Sequence, residues 1–310
     1  MTGRRLRAIA SGPAFLFPDH GSETAGRAAE LLAREPRALH AVTAEPAAEP
    51  SAQPAHVAHC LALAGSAISH GLRPRFVAGH GLGGYTAATV AGVLRSEDAL
   101  RLVTERGRLL AAAERQQSGR MAVIVGVPLD TVRYVCAVVR QRHGYVTLAQ
   151  ANAPQRAVVS GNASSVAVAV ERARGCGAAA AMLPARVAHN SLLMASVQAR
   201  LAQLAQTMHW HDARIPVMSG LQGGPLESGA AVRRALIGGE TLPIQWTRSM
   251  TALLDEDCRH FLELGPGRAL TVLSGEHDAD AVAMAAGTHA GIAAFRGILS
   301  AAPQPERLAS

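Results

Sequence analysis

Residues 75–85 read Arg75-Phe76-Val77-Ala78-Gly79-His80-Gly81-Leu82-Gly83-Gly84-Tyr85. A short apolar strand runs into glycines, and the small residues of Leu82 to Leu94 then read as a helix able to pack closely on a sheet. Strand, sharp glycine turn and helix make the layout of a nucleophile elbow, G-x-S-x-G. There the flanking glycines permit the turn and the central side chain projects over the helix N-terminus. Here the five positions are Gly79-His80-Gly81-Leu82-Gly83, and the central Gly81 has no side chain. The layout is present and the reactive atom is absent. Taken as Gly79, Gly81 and Gly84, the same glycines fit G-x-G-x-x-G, a dinucleotide-binding fingerprint. That fingerprint asks for an acid about 20 residues on, at the end of a second strand. The register falls near Glu105, in a stretch that reads as helix. A glycine turn that only seats a helix on a sheet is the third reading.

Outward from this turn, short apolar runs alternate with longer helical stretches, which predicts an α/β fold. Ala14 to Phe17 reads as a buried strand, Glu45 to Pro54 as a loop and His56 to His70 as a buried helix. Ser96 caps a helix reaching about Glu114, with acids in its first turn. From Met121 the texture changes. Strands at Met121–Val127, Tyr145–Leu148, Ala157–Gly161 and Ala179–Leu183 interleave with helices at Leu129–Arg140 and Ser164–Gly175. That is β-α-β-β-α-β, a ferredoxin-like order. Helix returns at Leu192–Met208, then a strand at Ile215–Met218, helices at Ala231–Leu236 and Gln245–Leu254, and a last strand at Phe261–Leu264. The expectation is a parallel-sheet core over 1–119 and 186–310 with a small subdomain inserted at 120–185. Ala301 to Ser310 reads as a loose tail.

Composition narrows the function classes. The 310 residues are 49% hydrophobic and 17% charged, a globular composition. No apolar run reaches the roughly 18 residues of a membrane span. Aromatics are 3%, too few for a base-stacking surface. All 30 basic residues are arginine, and they are scattered among acids, so the net charge of +7 does not describe a nucleic-acid face. It leaves room for an acidic protein partner. Cys60, Cys136, Cys176 and Cys258 lack C-x-x-C spacing and read as reduced, partly buried thiols of a cytoplasmic protein. The arginines of Met1 to Ala10 lead into a segment too short and too interrupted for a signal core.

Several segments together resemble the malonyl-CoA:acyl-carrier-protein transacylase family, which includes polyketide acyltransferase domains and the malonyltransferase subunit of malonate decarboxylase. Phe17-Pro18-Asp19-His20-Gly21-Ser22-Glu23 is similar to FPGQGSQ, and Gln53-Pro54 to QPA. Ala78 to Tyr85 is similar to AGHSLGEY, and Arg106-Gly107 to the RG of the following helix. Asn152-Ala153-Pro154 and Val158-Val159-Ser160-Gly161 resemble NSPGQVVIAG. Pro243-Ile244-Gln245-Trp246-Thr247 resembles PVQWT, and Gly265-Pro266-Gly267-Arg268 the late GPGK/R. The matches keep family order from about residue 13 to 274. The resemblance implies an α/β-hydrolase-like core with the ferredoxin-like insertion. It implies ping-pong transfer of malonyl from CoA to a carrier-protein thiol by a serine–histidine pair.

The resemblance puts the serine on Gly81 and the histidine on Asn190, with His189 one place early as a possible shifted base. The first-loop glutamine falls on His20 and the NSPGQ glutamine on Arg156. Arg106 matches the clamp on the malonyl carboxylate, a task suited to guanidinium geometry. The Leu82 N–H matches an oxyanion-hole donor, and Gln245 matches the residue whose carbonyl orients the histidine. His80 and Gln53 complete the implied substrate-binding set. The implied partners are an acyl carrier protein and malonyl-CoA or another acyl-CoA, with no cofactor, metal, membrane or nucleic acid.

Serine and base act as one unit, so losing both costs little more than losing either. The residues therefore favour a homologue that binds acyl-CoA or carrier protein with its catalysis lost. Two alternatives stand. One is an active transferase or thioester hydrolase on a repurposed histidine site of His20, His80 and His189. The other is a dinucleotide-binding oxidoreductase on Gly79, Gly81 and Gly84.

Overall fold

The computed structural model describes residues 12–21, 50–116 and 119–301. The N-terminal arginines, Ser22-Glu23 of the first motif, residues 45–49 of the Glu45–Pro54 loop and the tail after Ala301 lie outside the described residues.

Strand β1 (Ala14–Phe17) and strand β2 (Phe76–Gly79) are apolar runs, buried throughout except for half-buried Gly79. Such runs suit the middle of a parallel sheet, covered on both faces. They pair in parallel, Phe17 opposite Gly79, so both strands end at the same edge. Strand β9 (His260–Glu263) flanks β1, and β7 (Val217–Met218) flanks β2. With β10 (Val282–Ala285) and β8 (Pro225–Leu226) at the edges, the order is β10-β9-β1-β2-β7-β8. Only the β7–β8 pair is antiparallel.

The second sheet is antiparallel, in the order β4-β5-β3-β6. It comprises β3 (Gly119–Val125), β4 (Val146–Ala153), β5 (Arg156–Asn162) and β6 (Ala179–Met182). Helices Leu129–His143 and Ala163–Gly175 pack on one face of it over a core of Val132, Val135, Val159, Val166 and Val170. Where the segment 243–245 passes the edge strand β4, Ile244 N donates to Ala149 O (2.8 Å) and Ala151 N to Ile244 O (2.8 Å). That contact brings Gln150 and Asn152 to the end of the parallel sheet.

Three helices position the site. Helix α1 (Gln53–Ser69) buries Val57, Cys60, Leu63, Ala64 and Ala67 at helical spacing. Helix α2 (Gly83–Val90) is built from small residues, and its Gly83, Gly84, Ala87 and Ala88 are buried. Helix α3 (Ser96–Gln116) carries Glu97 and Asp98 in its first turn and buries Leu102, Val103, Arg106 and Leu110 on one stripe.

The sequence reading needs local corrections. The His56–His70 helix starts at Gln53, and the Tyr145–Leu148 strand runs from Val146 to Ala153. The Leu192–Met208 helix is a 3₁₀ turn, Leu192–Met194, followed by a helix over Ala195–Gln206. Helices Ala269–His277 and His289–Ala301 and strands β8 and β10 were not anticipated. Cys60, Cys136 and Cys258 are buried, whereas Cys176 is exposed.

Candidate functional site

Strand β2 ends at Gly79 and α2 starts at Gly83, so the chain reverses within His80-Gly81-Leu82. Gly81 has φ +53°, in the left-handed region that side chains resist. His80 N donates to Phe17 O (3.0 Å) and Gly83 N to His80 O (2.9 Å), which ties the turn to the end of β1.

Asp19, two residues past β1, faces this turn. Its Oδ1 accepts hydrogen bonds from Leu82 N (2.8 Å) and His20 N (3.0 Å). A Cβ built on Gly81 would overlap the Asp19 carboxylate. The carboxylate thus fills the direction in which a side chain at position 81 would project. It sits at the N-terminus of α2, where the helix dipole favours an anion. Sequence reasoning passed over Asp19. It stands at the first glycine of the FPGQGSQ-like opening, and that departure was the available signal.

Behind Asp19 lies a buried polar chain. His80 Nε2 donates to Asn152 Oδ1 (2.9 Å), and its Nδ1 faces Asp19 Oδ2 across 4.0 Å with no hydrogen-bond partner. Asn152 Nδ2 donates to Gln150 Oε1 (3.2 Å), and Gln150 Nε2 to Asn190 Oδ1 (3.4 Å). Asn190 Nδ2 ends the chain on Gly239 O (2.7 Å). Asn190 is non-glycine at φ +54°, a conformation asparagine tolerates better than most residues. The Ser191 hydroxyl is buried and donates to Ala188 O (2.6 Å).

Arg106 is buried, not the surface cation that its charged helix could suggest. Its Nε donates to Glu240 Oε1 (2.6 Å) and its Nη1 to Gln53 Oε1 (2.9 Å). Burial opposes the arginine's charge, but Glu240, then Tyr85 and Asp19, outweigh it and hold its pKa above the usual range. Glu240 is itself only 4% exposed. Tyr85 is buried beside the pair with no hydrogen-bond partner on its hydroxyl, and burial, then Glu240, pushes its pKa up. These groups line a cavity of about 60 Å³ with Gly81, Asn190 and an apolar wall of Val217, Met218, Leu221, Leu236 and Ile244. Glu240, which sequence reasoning missed, lies 134 residues from Arg106 with no local motif around it.

The histidines divide. His20 packs edge-on against His56 at 5.5 Å, and His56 Nε2 donates to Pro18 O (3.0 Å). His189 feels Arg106, Asp19 and His20; burial first, then Arg106, pushes its pKa down to about 4. It is therefore neutral at pH 7. Between about pH 6.5 and 4 the unfolded chain binds a proton on this residue that the folded chain resists. Its stabilising contribution is complete above about pH 6.5 and is lost as the pH falls. Half-buried His277 is shifted the same way. Urea unfolding at pH 7.5 and pH 5 is expected to show about 2 kcal/mol less stability at pH 5 from His189. In His189→Asn that difference shrinks.

The Gln245 carbonyl is not aimed at a histidine. It accepts from Arg248 N (3.0 Å) and Ser249 N (3.2 Å), opening the helix Trp246–Asp255. Arg156 pairs with Glu276 at 2.5 Å, away from the cavity. Glu105 sits inside α3 and bonds Arg108, so no acid stands where a dinucleotide fingerprint needs one. Among the described residues no group of His, Cys, Asp or Glu is gathered to hold a metal, and no helix is long and apolar enough to cross a membrane.

The parallel sheet, the glycine turn over a short helix and the buried arginine facing it define an acyltransferase architecture. Residues 45–266 match the family model of the acyl transferase domain. The chain belongs to this family, and within it to the malonyl-CoA:acyl-carrier-protein transacylase group. It is 31% identical over 281 residues to a malonyl CoA-acyl carrier protein transacylase of Bacillus subtilis, covering 84% of this chain and 88% of that one. A Staphylococcus aureus protein of the same description is 28% identical over 85% of this chain and 91% of its own. A structure of FabD from Acinetobacter baumannii superposes with a TM-score of 0.82 at 27% identity, covering 95% of this chain and 100% of that one. A malonyl-transacylase solved in complex with a type II polyketide acyl carrier protein gives 0.80 at 27% identity, covering 92% and 99%.

Proposed function

We propose that this protein binds acyl thioesters, of CoA or of an acyl carrier protein, at the cavity beside Gly81, and that serine–histidine transfer is lost. One observation carries the reading. The place where a nucleophile would project holds the Asp19 carboxylate, and the Leu82 N–H, the matched oxyanion-hole donor, is spent on it. A transition-state oxyanion would have to displace an anion already bound there. Asn190 at the base position is an amide committed to Gly239 and cannot take up a proton at neutral pH. The carrier partner is supported by the relative solved with one.

On this reading the core spans 1–119 and 186–310 and is α/β-hydrolase-like. The insertion at 120–185 is ferredoxin-like, as its order β4-β5-β3-β6 supports. The protein works in the cytoplasm beside fatty acid or polyketide synthesis, as a pseudoenzyme. A hydrolase built on His189 is disfavoured, since a base with a pKa of about 4 is weak at neutral pH.

Incubation with radiolabelled acyl-CoA tests the reading. The expected result is label retained on native gel filtration and lost on denaturation. A covalent label that survives denaturation, on Ser191 or any other side chain, would overturn it.

A further inference from the structure

Arg106 is the cation matched to the malonyl carboxylate, yet its guanidinium already has a carboxylate. Glu240 accepts from Nε at 2.6 Å, Gln53 accepts from Nη1, and all three side chains are buried. Asp19 adds a second carboxylate at the other end of the site. Two carboxylates therefore oppose one guanidinium, and the neighbouring imidazole of His189 is neutral. An acyl group bringing its own carboxylate would add a further anion beside a guanidinium whose charge Glu240 already balances. An unpaired buried charge is among the costliest groups a site can hold.

The unfilled partner in the cavity is of another kind. Tyr85 lines it beside the apolar wall, and its hydroxyl is buried without a hydrogen-bond partner. A hydroxyl of that sort asks for a neutral acceptor such as a carbonyl oxygen. The cavity of about 60 Å³ has room for several waters or a short acyl chain.

We infer that Glu240 sets the specificity of this site, excluding carboxylated acyl groups and selecting short uncharged ones whose carbonyl meets Tyr85. The inference rests on the acyl-thioester reading and names its substrate class. Acetoacetyl-CoA and malonyl-CoA are the informative pair, because the acyl groups differ by a methyl ketone against a carboxylate at the same position.

Calorimetric titration of the full chain is expected to show acetoacetyl-CoA binding at least tenfold tighter than malonyl-CoA. In Glu240→Gln, which keeps the size and sheds the charge, the preference moves toward malonyl-CoA by at least tenfold. In Tyr85→Phe acetoacetyl-CoA weakens several-fold, while CoA alone does not. Should Glu240→Gln fail to fold, the wild-type ratio and the Tyr85→Phe titration decide. Malonyl-CoA binding the wild type as tightly as acetoacetyl-CoA would overturn the inference and leave the acyl-thioester reading standing. Binding of neither thioester would overturn both. Thermal shift with free malonate separates the two failures: stabilisation of the wild type by malonate defeats the inference whatever CoA does.

Discussion

Gly81→Ser alone is expected to yield no acyl transfer and a less stable protein, whereas Gly81→Ser with Asp19→Gly and Asn190→His gains at least three orders of magnitude over any single change. The new Cβ would overlap the Asp19 carboxylate, which must leave two backbone N–H donors. Each hydrogen bond to a charged group is worth about 1.5–3 kcal/mol. A left-handed non-glycine residue costs about 1 kcal/mol more. Removing Asp19 relieves the overlap and returns the Leu82 N–H to a developing oxyanion. Histidine at 190 supplies the base. That position sits at φ +54°, which histidine accepts more readily than most residues. The Gly239 carbonyl that now holds Asn190 is placed to accept from one ring nitrogen and orient it. The gain is steep because nucleophile and base act together, with a full pair worth about 10⁶ in turnover. Transfer from acetoacetyl-CoA to pantetheine, with intact mass of the acyl-enzyme, reads it. Full transfer from Gly81→Ser by itself would mean that His189 serves as base.

Gly83→Ala is expected to destabilise the fold by about 3 kcal/mol or more. A Cβ there overlaps the Phe17 carbonyl and lies 2.9 Å from Pro18 O, so backbone meets backbone with no side chain free to swing away. Helix α2 would have to rise off β1 and carry the Leu82 N–H away from Asp19. Gly84→Ala, one residue on, meets only the end of the Leu236 side chain, at 2.7 Å, and is expected to cost far less. Thermal unfolding of the two variants checks this. For a chain of this size the Gly83→Ala midpoint should fall by roughly 6–12 °C. Equal midpoints would show that the glycines are not set by close approach.

Much of the architecture was legible because its signals are local. Ala14–Phe17 and Phe76–Gly79 are apolar runs that suit a buried parallel sheet, and the insertion alternates strands and helices in a readable order. Arg106 could have been read as buried from its spacing with Leu102, Val103 and Leu110. The edge strands Pro225–Leu226 and Val282–Ala285 were not legible, being short and partly exposed, and the chain beyond Arg268 bears no recognisable motif to anchor a reading. The site residues divide in the same way. Gly81, Asn190 and Arg106 lie in recognisable segments. The partners that decide their chemistry reach them across the chain: Asp19 meets Leu82 over 63 residues, and Glu240 meets Arg106 over 134. Spacing cannot reveal such pairs, because side chains distant in sequence meet only once the sheet has formed.

A crystal structure of the unmodified chain tests the central claim most directly, through the position of the Asp19 carboxylate. The expected density has one carboxylate oxygen between the Leu82 and His20 amides, at 2.8 and 3.0 Å, over a bare Gly81. A carboxylate turned to solvent, with both amides open to a ligand oxygen, would contradict it.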